Sequence, residues 1–238
     1  MAYSNSPLVT YTRLSPHNSG TRTHAIDRIT IHHAVGQFTA SGLCACFCGA
    51  RQASANYVIG HDGEVGLSVE EGNRSWCSSS EENDQRAVTI ECADDSYAPY
   101  KMNDVAYERL IELCVDICKR NGKRKLIWLG NKAKTLAYTP AADEMVMTVH
   151  RWFLSTQCPG DFLMGKMPEI SERVTAELQK ARFTGDSTPA TWAAEAVNWA
   201  VDNGLMVGDK NGDLMLHSPI TREQFCVMLK RYHDIFSK

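Results

Sequence analysis

The sequence has no long hydrophobic run and no excess of positive charge. None of its apolar stretches approaches the roughly 20 residues that a membrane-spanning helix requires, which argues against an integral membrane protein. The formal net charge of −3 at pH 7 argues against a nucleic acid as the partner. Residues 1–28 lack a basic start followed by an apolar stretch, so we expect no secretory signal.

Nine cysteines are present, and their odd number and apolar surroundings favour reduced thiols over a disulfide framework. Cys114 and Cys118 fall on one apolar stripe at helical spacing, where a thiol is a small buried hydrophobe. Cys44, Cys46 and Cys48 alternate along the chain, unlike the usual spacing of zinc ligands. We favour ordinary packing or exposure for these three and leave a second metal site as the alternative.

Strand and helix patterns alternate along the first 182 residues and predict an α/β fold. An Asp-Gly turn at 62–63 predicts a hairpin between two of the strands. The predicted strands cover 29–32, 54–59, 64–68, 87–92 and 125–129. The predicted helices cover 39–47, 104–121 with Asn103 or Asp104 as the cap, and 168–181.

Metal-ligand candidates stand at the ends of two β-like runs. The pair His32-His33 follows the β-branched segment 29–31, and His150 follows Thr148-Val149. Cys158 comes eight residues after His150, a gap that suits a strand end and the loop behind it. Two imidazoles and one thiolate leave the fourth tetrahedral position open, as in a catalytic zinc site.

Four ordered segments carry a family resemblance: ITIHHAVGQ at 29–37, SANYVIGHDGEVG at 54–66, NDQRAVTIE at 83–91 and MTVHRWFLSTQCPGDFL at 147–163. Residues 20–182 resemble the zinc-dependent N-acetylmuramoyl-L-alanine amidases of the T7 lysozyme and peptidoglycan-recognition-protein superfamily. The resemblance implies a mixed sheet flanked by helices, with zinc at the edge of the sheet.

The resemblance also implies a set of site residues. Zinc would be held by His32, His150 and Cys158, and only the resemblance selects His32 over His33, which we expect to pack or hydrogen-bond nearby. Glu91 would be the general base, since many of these amidases have a glutamate here; the alternative is a salt-bridged strand glutamate. The T7-like enzyme uses a tyrosine from another strand, and Ala55 stands at its position. Thr156 would assist at the oxyanion, where some relatives have a lysine.

Three further residues are predicted to bind substrate. Trp76 and Asn83 lie in the variable stretch before Glu91, which could line a glycan or peptide groove. A half-buried core position is an equal alternative for the tryptophan. His61 lies in the Asp-Gly turn, where a solvated side chain is the alternative. The run at 78–82 predicts an exposed loop.

The pattern changes after residue 182, through a turn-rich linker at 183–190, into a domain at 191–238. WAAEAVNWAVDNGLMVG from 192 and SPITREQFCVMLKRY at 218–232 resemble one S-layer homology repeat. This implies a small all-α cell-wall-binding domain, with Trp192, Thr221, Arg222 and Glu223 holding the repeat together or contacting an anionic wall polymer. So small a domain buries little apolar surface, which leaves self-association and a merely stabilising appendage as alternatives.

Together these features predict an endolysin-type hydrolase with a catalytic domain at 1–182 and a wall-binding domain at 191–238. It would use Zn²⁺ to cleave the amide between N-acetylmuramic acid and L-alanine in Gram-positive peptidoglycan. The endolysin resemblance implies synthesis in the bacterial cytoplasm and release through a holin, without membrane insertion. The alternatives are a noncatalytic peptidoglycan-binding protein and a cytoplasmic muropeptide-recycling amidase.

Overall fold

The computed structural model describes residues 3–180, 187–209 and 212–237. The chain forms two compact units, Met1–Leu178 and Gln179–Lys238. Of the predicted linker, residues 183–186 lie outside the described part of the chain. No helix among the described residues is long and apolar enough to cross a membrane.

The first unit is built on a seven-stranded mixed sheet with the order β1-β5-β4-β7-β3-β9-β8. Its strands are β1 Val9–Thr12, β3 Arg28–His33, β4 Tyr57–Ile59, β5 Val65–Leu67, β7 Ala87–Cys92, β8 Lys125–Ile127 and β9 Glu144–Val149. All neighbours are parallel except β4 and β5, which form the predicted antiparallel hairpin. Two further strands, β2 Asn18–Thr21 and β6 Asn73–Ser75, pair antiparallel in a small second sheet.

The three central strands β7, β3 and β9 are covered on both faces, which is why their sequences are almost continuously apolar. Side chains alternate between the faces of a strand. Ile31 and Ile90 belong to the larger core cluster, so their neighbours His32 and Glu91 face the opposite side of the sheet. The alternation therefore places a histidine and a glutamate side by side on one face.

Five helices flank this sheet: α1 Ala40–Cys46, α2 Glu81–Arg86, α3 Asp104–Arg120, α4 Lys132–Ala137 and α5 Gly160–Lys180. The core cluster on one face contains apolar residues of α3 and α5, and a smaller cluster contains those of α1. Asn103 caps α3 as predicted, and Gly122 follows the helix at φ +67°. Cys114 and Cys118 are buried on α3, which confirms their prediction as small hydrophobes.

Two sequence predictions of local structure were wrong. The sequence predicts that the closing helix of the first unit starts at Pro168. In the structure this helix, α5, begins at Gly160 and contains Pro168. Its apolar positions from Leu163 onward are buried, and this packing outweighs the one hydrogen bond that a proline removes. The predicted loop at 78–82 is in part a helix, because the Ser80 side chain accepts a hydrogen bond from the Asn83 backbone N–H and starts α2.

The second unit is helical among its described residues. It contains a 3₁₀ turn at Thr191–Ala193, α6 Ala194–Asp202 and α7 Arg222–Phe236. Thr221 and Gln224 form a reciprocal capping box at the start of α7. Many apolar side chains stay exposed here, including Trp192 at 90% and Phe225 at 53% of their surface.

Candidate metal centre and active site

The carboxyl ends of the parallel strands bring the candidate residues to one edge of the sheet. His32 lies near the end of β3, Glu91 is its register partner on β7, and His150 directly follows β9. Cys158 lies in the loop between the His150 turn and α5. Parallel strands end at a common edge, so four residues from distant parts of the chain meet there.

The side chains of His32, His150 and Cys158 are arranged as a metal-binding triad. Their ligand atoms all lie within 4.8 Å of one another. The distance from His32 Nδ1 to Cys158 Sγ is 3.4 Å, close to the separation of about 3.5 Å that tetrahedral zinc–nitrogen and zinc–sulfur bonds impose. His32 Nε2 is buried and has no hydrogen-bond partner among the described residues. These residues fit a zinc ion.

Burial controls the protonation of the triad. It lowers the pKa of His32 far below the usual value, with the nearby His150 and His33 adding to the effect. Burial also lowers the pKa of His150, so both rings are neutral and can offer a lone pair to a metal. The pKa of Cys158 is raised by burial and by Glu91, so the metal-free thiol keeps its proton. Metal binding must therefore release this proton.

Glu91 is a partly buried carboxylate beside the triad. Burial raises its pKa to about 8, Arg51 opposes this effect, and Asp94 reinforces it. Glu91 forms no ion pair with any residue that the structure describes, so the alternative of a salt-bridged strand glutamate has no support. A raised pKa makes the ionised carboxylate a stronger base, which suits proton transfer near neutral pH.

His33 turns away from the triad. Its Nδ1 lies 2.8 Å from Asp94 Oδ2, and its ring packs edge-on against Tyr100, as predicted for a neighbour that is not a ligand. Gly160 at φ +83° lies against the same ring, and a Cβ there would approach His33 Nδ1 to 2.9 Å. The loop carrying Cys158 therefore requires glycine at this position.

Thr156 orders the cysteine loop. Its hydroxyl accepts a hydrogen bond from the Cys158 backbone N–H at 3.2 Å. This contact explains a structural use of the residue, and its assistance at an oxyanion stays a prediction.

Trp76 and His61 occupy different positions around this edge. Trp76 is partly exposed, its indole N–H donates to Ser19 Oγ at 2.7 Å, and its ring lies 5.8 Å from that of His17. His61 is also partly exposed and follows β4, whose carboxyl end lies at the same edge as Glu91. Substrate binding by both residues stays a prediction.

The substrate role predicted for Asn83 is contradicted by its burial. The side chain is fully buried, and its amide nitrogen donates to Thr30 and Ser78. Its amide oxygen accepts from Arg28 and Thr148. These four hydrogen bonds tie α2 and its preceding loop to β3 and β9, and no part of the amide remains for a ligand.

We expect the Asn83→Ala variant to lower the free energy of unfolding by about 1 to 3 kcal/mol, because buried hydroxyls lose their partners. Urea denaturation followed by tryptophan fluorescence measures this change. Glu82→Ala, an exposed neighbour on the same helix, is the matched control and should stay within about 0.5 kcal/mol. Unchanged stability of Asn83→Ala together with weaker muropeptide binding would restore the substrate role.

A cavity of about 450 Å³ opens beside His150. Its lining includes Ser79, Lys132, Trp152 and Phe153. The Ser79 hydroxyl lies 3.5 Å from His150 Nε2, which connects the cavity to the triad. Trp152 is stacked on Trp128 with the ring planes 5° apart, so this wall of the cavity is held in place. The cavity offers space for part of a ligand next to the metal centre.

Cys77 is a residue of this site that the sequence did not indicate. Its Sγ lies 4.0 Å from Glu91 Oε2, although the residue belongs to a loop without strand or helix pattern. The sequence predicts a substrate contact for the neighbouring Trp76, but only the fold shows that the Cys77 thiol lies near the Glu91 carboxylate.

Two family models match parts of the sequence. Residues 22–161 match the family model of N-acetylmuramoyl-L-alanine amidase, and residues 185–226 match that of the S-layer homology domain. No curated protein matches the chain.

Several solved structures are similar to the chain. One is the Staphylococcus aureus hydrolase AmiA in complex with its ligand, with 10% identity, TM-score 0.49, and coverage of 75% of this chain and 86% of that chain. Another is the endolysin N-acetylmuramoyl-L-alanine amidase LysCS from Clostridium intestinale URNW, with 13% identity, TM-score 0.43, and coverage of 71% and 96%. Drosophila peptidoglycan recognition protein SA has 16% identity, TM-score 0.46, and coverage of 66% and 90%. Since the amidase model spans more than half of the sequence, the chain belongs to the N-acetylmuramoyl-L-alanine amidase family, and an S-layer homology domain follows the amidase domain.

Proposed function

We propose that the chain is a zinc-dependent, endolysin-type hydrolase that cleaves the amide between the lactyl group of N-acetylmuramic acid and L-alanine. The observation that carries this proposal is the triad of His32, His150 and Cys158 with Glu91 at the same edge of the sheet. Two imidazoles and a thiolate are the ligand set of a catalytic zinc, whose chemistry is Lewis-acid activation of water and of a carbonyl group.

Glu91 moves the protons in this proposal. Its carboxylate takes a proton from the attacking water and delivers it to the nitrogen of L-alanine as the amide bond breaks. The pKa of about 8 that burial gives this group suits both halves of the transfer. No other carboxylate has a ligand atom within the metal-binding clusters of the described residues, so Glu91 carries the role alone.

Three other side chains would orient the substrate. The Thr156 hydroxyl would donate a hydrogen bond to the developing oxyanion, while Trp76 and His61 would contact the glycan or peptide. The partial exposure of all three supports this part of the proposal.

The second unit would hold the enzyme at the cell wall. A cavity of about 480 Å³ within this unit is lined mainly by apolar side chains and includes Glu223. Exposed Trp192, Arg222 and Thr221 offer aromatic, cationic and hydroxyl groups to peptidoglycan or an anionic wall polymer. The exposed apolar side chains of α7 also support self-association through this unit.

We divide the chain into an amidase domain at 1–182, a linker at 183–190 and a wall-binding domain at 191–238.

An enzyme of this kind has to reach the wall from the place where it is made. We propose synthesis in the bacterial cytoplasm and release through a holin, as in phage endolysins. The resemblance of the sequence motifs to those of endolysins motivates this part of the proposal.

Digestion of purified Gram-positive peptidoglycan, with and without a chelator, tests the proposed reaction. We expect new free L-alanine amino termini by mass spectrometry, their disappearance with the chelator, and their return with added zinc. Intact wall that retains the protein would identify a noncatalytic binding protein. Cleavage of soluble muropeptides without cleavage of walls would instead favour a recycling amidase.

A further inference from the structure

The loop before α2 holds a thiol against the predicted base. Cys77 is partly buried, and its Sγ lies 4.0 Å from Glu91 Oε2. Its backbone N–H donates to Asp84 Oδ2 at 3.1 Å, and the Ser78 N–H donates to the same carboxylate. The buried Asp84 thereby fixes the backbone of the loop that carries the thiol.

Cys77 and Glu91 form a second set of metal donors together with His32. The ligand atoms of these three residues lie within 4.8 Å of one another, the same limit that holds for His32, His150 and Cys158. A thiolate, a carboxylate and an imidazole are all zinc ligands. The two sets share His32 and differ in every other donor.

We infer that Cys77, Glu91 and His32 form a second metal position that takes a soft divalent cation, Zn²⁺ or Cd²⁺, when the metal is in excess. Binding forms metal bonds to sulfur, oxygen and nitrogen, and the protons of the Cys77 thiol, of the shared His32 ring and of any protonated Glu91 are released to solvent. A cation here occupies the Glu91 carboxylate and prevents it from accepting a proton. Excess metal is therefore inhibitory, a consequence that rests on the proposed function, whereas the binding itself does not.

The shared histidine makes this second position the weaker one. His32 Nδ1 lies 3.4 Å from Cys158 Sγ, while Nε2 has no hydrogen-bond partner among the described residues. A neutral imidazole offers one lone pair, so two cations can share the ring only if it loses its remaining proton. The first cation thus fills the triad, and the second follows at higher concentration.

Titration of the metal-free full-length protein with Cd²⁺, followed by the ultraviolet absorbance of cadmium–thiolate bonds, tests the inference without any substrate. We expect two successive steps in the wild type. Cys77→Ser should lose the second step and keep the first. Cys158→Ser should lose the tight step and keep a weak one, and the double variant should lose both. Cys46→Ser, which changes an exposed cysteine outside both sets, is the control and should keep both steps.

Glu91→Gln provides a second test that does not alter the thiols. The loss of one charged donor should weaken the second step about 100-fold and leave the first in place, because the neutral amide is a poorer ligand than the carboxylate. Two unchanged steps in Cys77→Ser would overturn the inference, as would equal Cd²⁺ affinity in Cys158→Ser and the double variant. If walls are not cleaved but both steps are observed, the proposed function fails and the metal position stands.

Discussion

The Glu91→Gln variant is expected to keep its tightly bound zinc and to lose peptidoglycan hydrolysis by a factor of about 100 to 10,000. The substitution preserves the shape of the side chain and removes its ability to accept a proton. Glu91 lies beside His32 on the adjacent strand, with no ion pair among the described residues that the change would break. The loss should therefore fall on turnover and not on folding.

Three measurements distinguish a loss of turnover in Glu91→Gln from a loss of folding or of zinc. They are zinc content after dialysis, thermal unfolding, and the rate at which L-alanine amino termini appear. Glu172→Gln, which changes an exposed glutamate of α5, is the matched control and should behave like the wild type. Full hydrolysis by Glu91→Gln would exclude Glu91 as the base. Loss of zinc together with activity would instead indicate that the carboxylate serves the metal.

The Cys158→Ser variant should weaken zinc binding by about 100-fold or more and abolish hydrolysis at stoichiometric zinc. The buried thiol is one of the three proposed zinc ligands, and a hydroxyl is a much poorer zinc ligand than a thiolate. The Cys158 backbone N–H should still reach Thr156, so the loop should keep its shape. Competition with a chromophoric chelator gives the affinity directly.

Cys46→Ser is the matched control for this variant, because Cys46 is exposed and belongs to neither set of donors. It should retain wild-type affinity and activity. Wild-type zinc affinity in Cys158→Ser would show that the metal is held elsewhere and would contradict the triad.

The sequence predicts the strands of this site well because their patterns are local. The β-branched residues before His32 and the apolar run before Glu91 are typical of buried strands, and the structure confirms both. The family resemblance implied a mixed sheet with zinc at its edge, and the parallel pairing in the structure brings these residues to one common edge. Which histidine of the pair lies beside His150 and Cys158 depends on the face of the strand, and the core position of Ile31 places His32 on that face.

Other features depend on contacts that no local pattern contains. Asn83 looked like a polar loop residue, but hydroxyl and guanidinium groups of two strands satisfy its amide inside the protein. Cys77 reaches Glu91 only because the fold brings its loop against β7. Pro168 is typical of a helix start, and the buried face of α5 overrides that signal. These differences arise where tertiary packing decides the outcome.

Zinc add-back to the metal-free wild-type protein tests the proposed mechanism most directly. The release of L-alanine amino termini from a soluble muropeptide should be absent without metal, rise in proportion to added Zn²⁺, and reach its maximum at one equivalent. Hydrolysis by the metal-free protein, or no hydrolysis at any zinc concentration, would contradict the assignment of this chain as a zinc amidase.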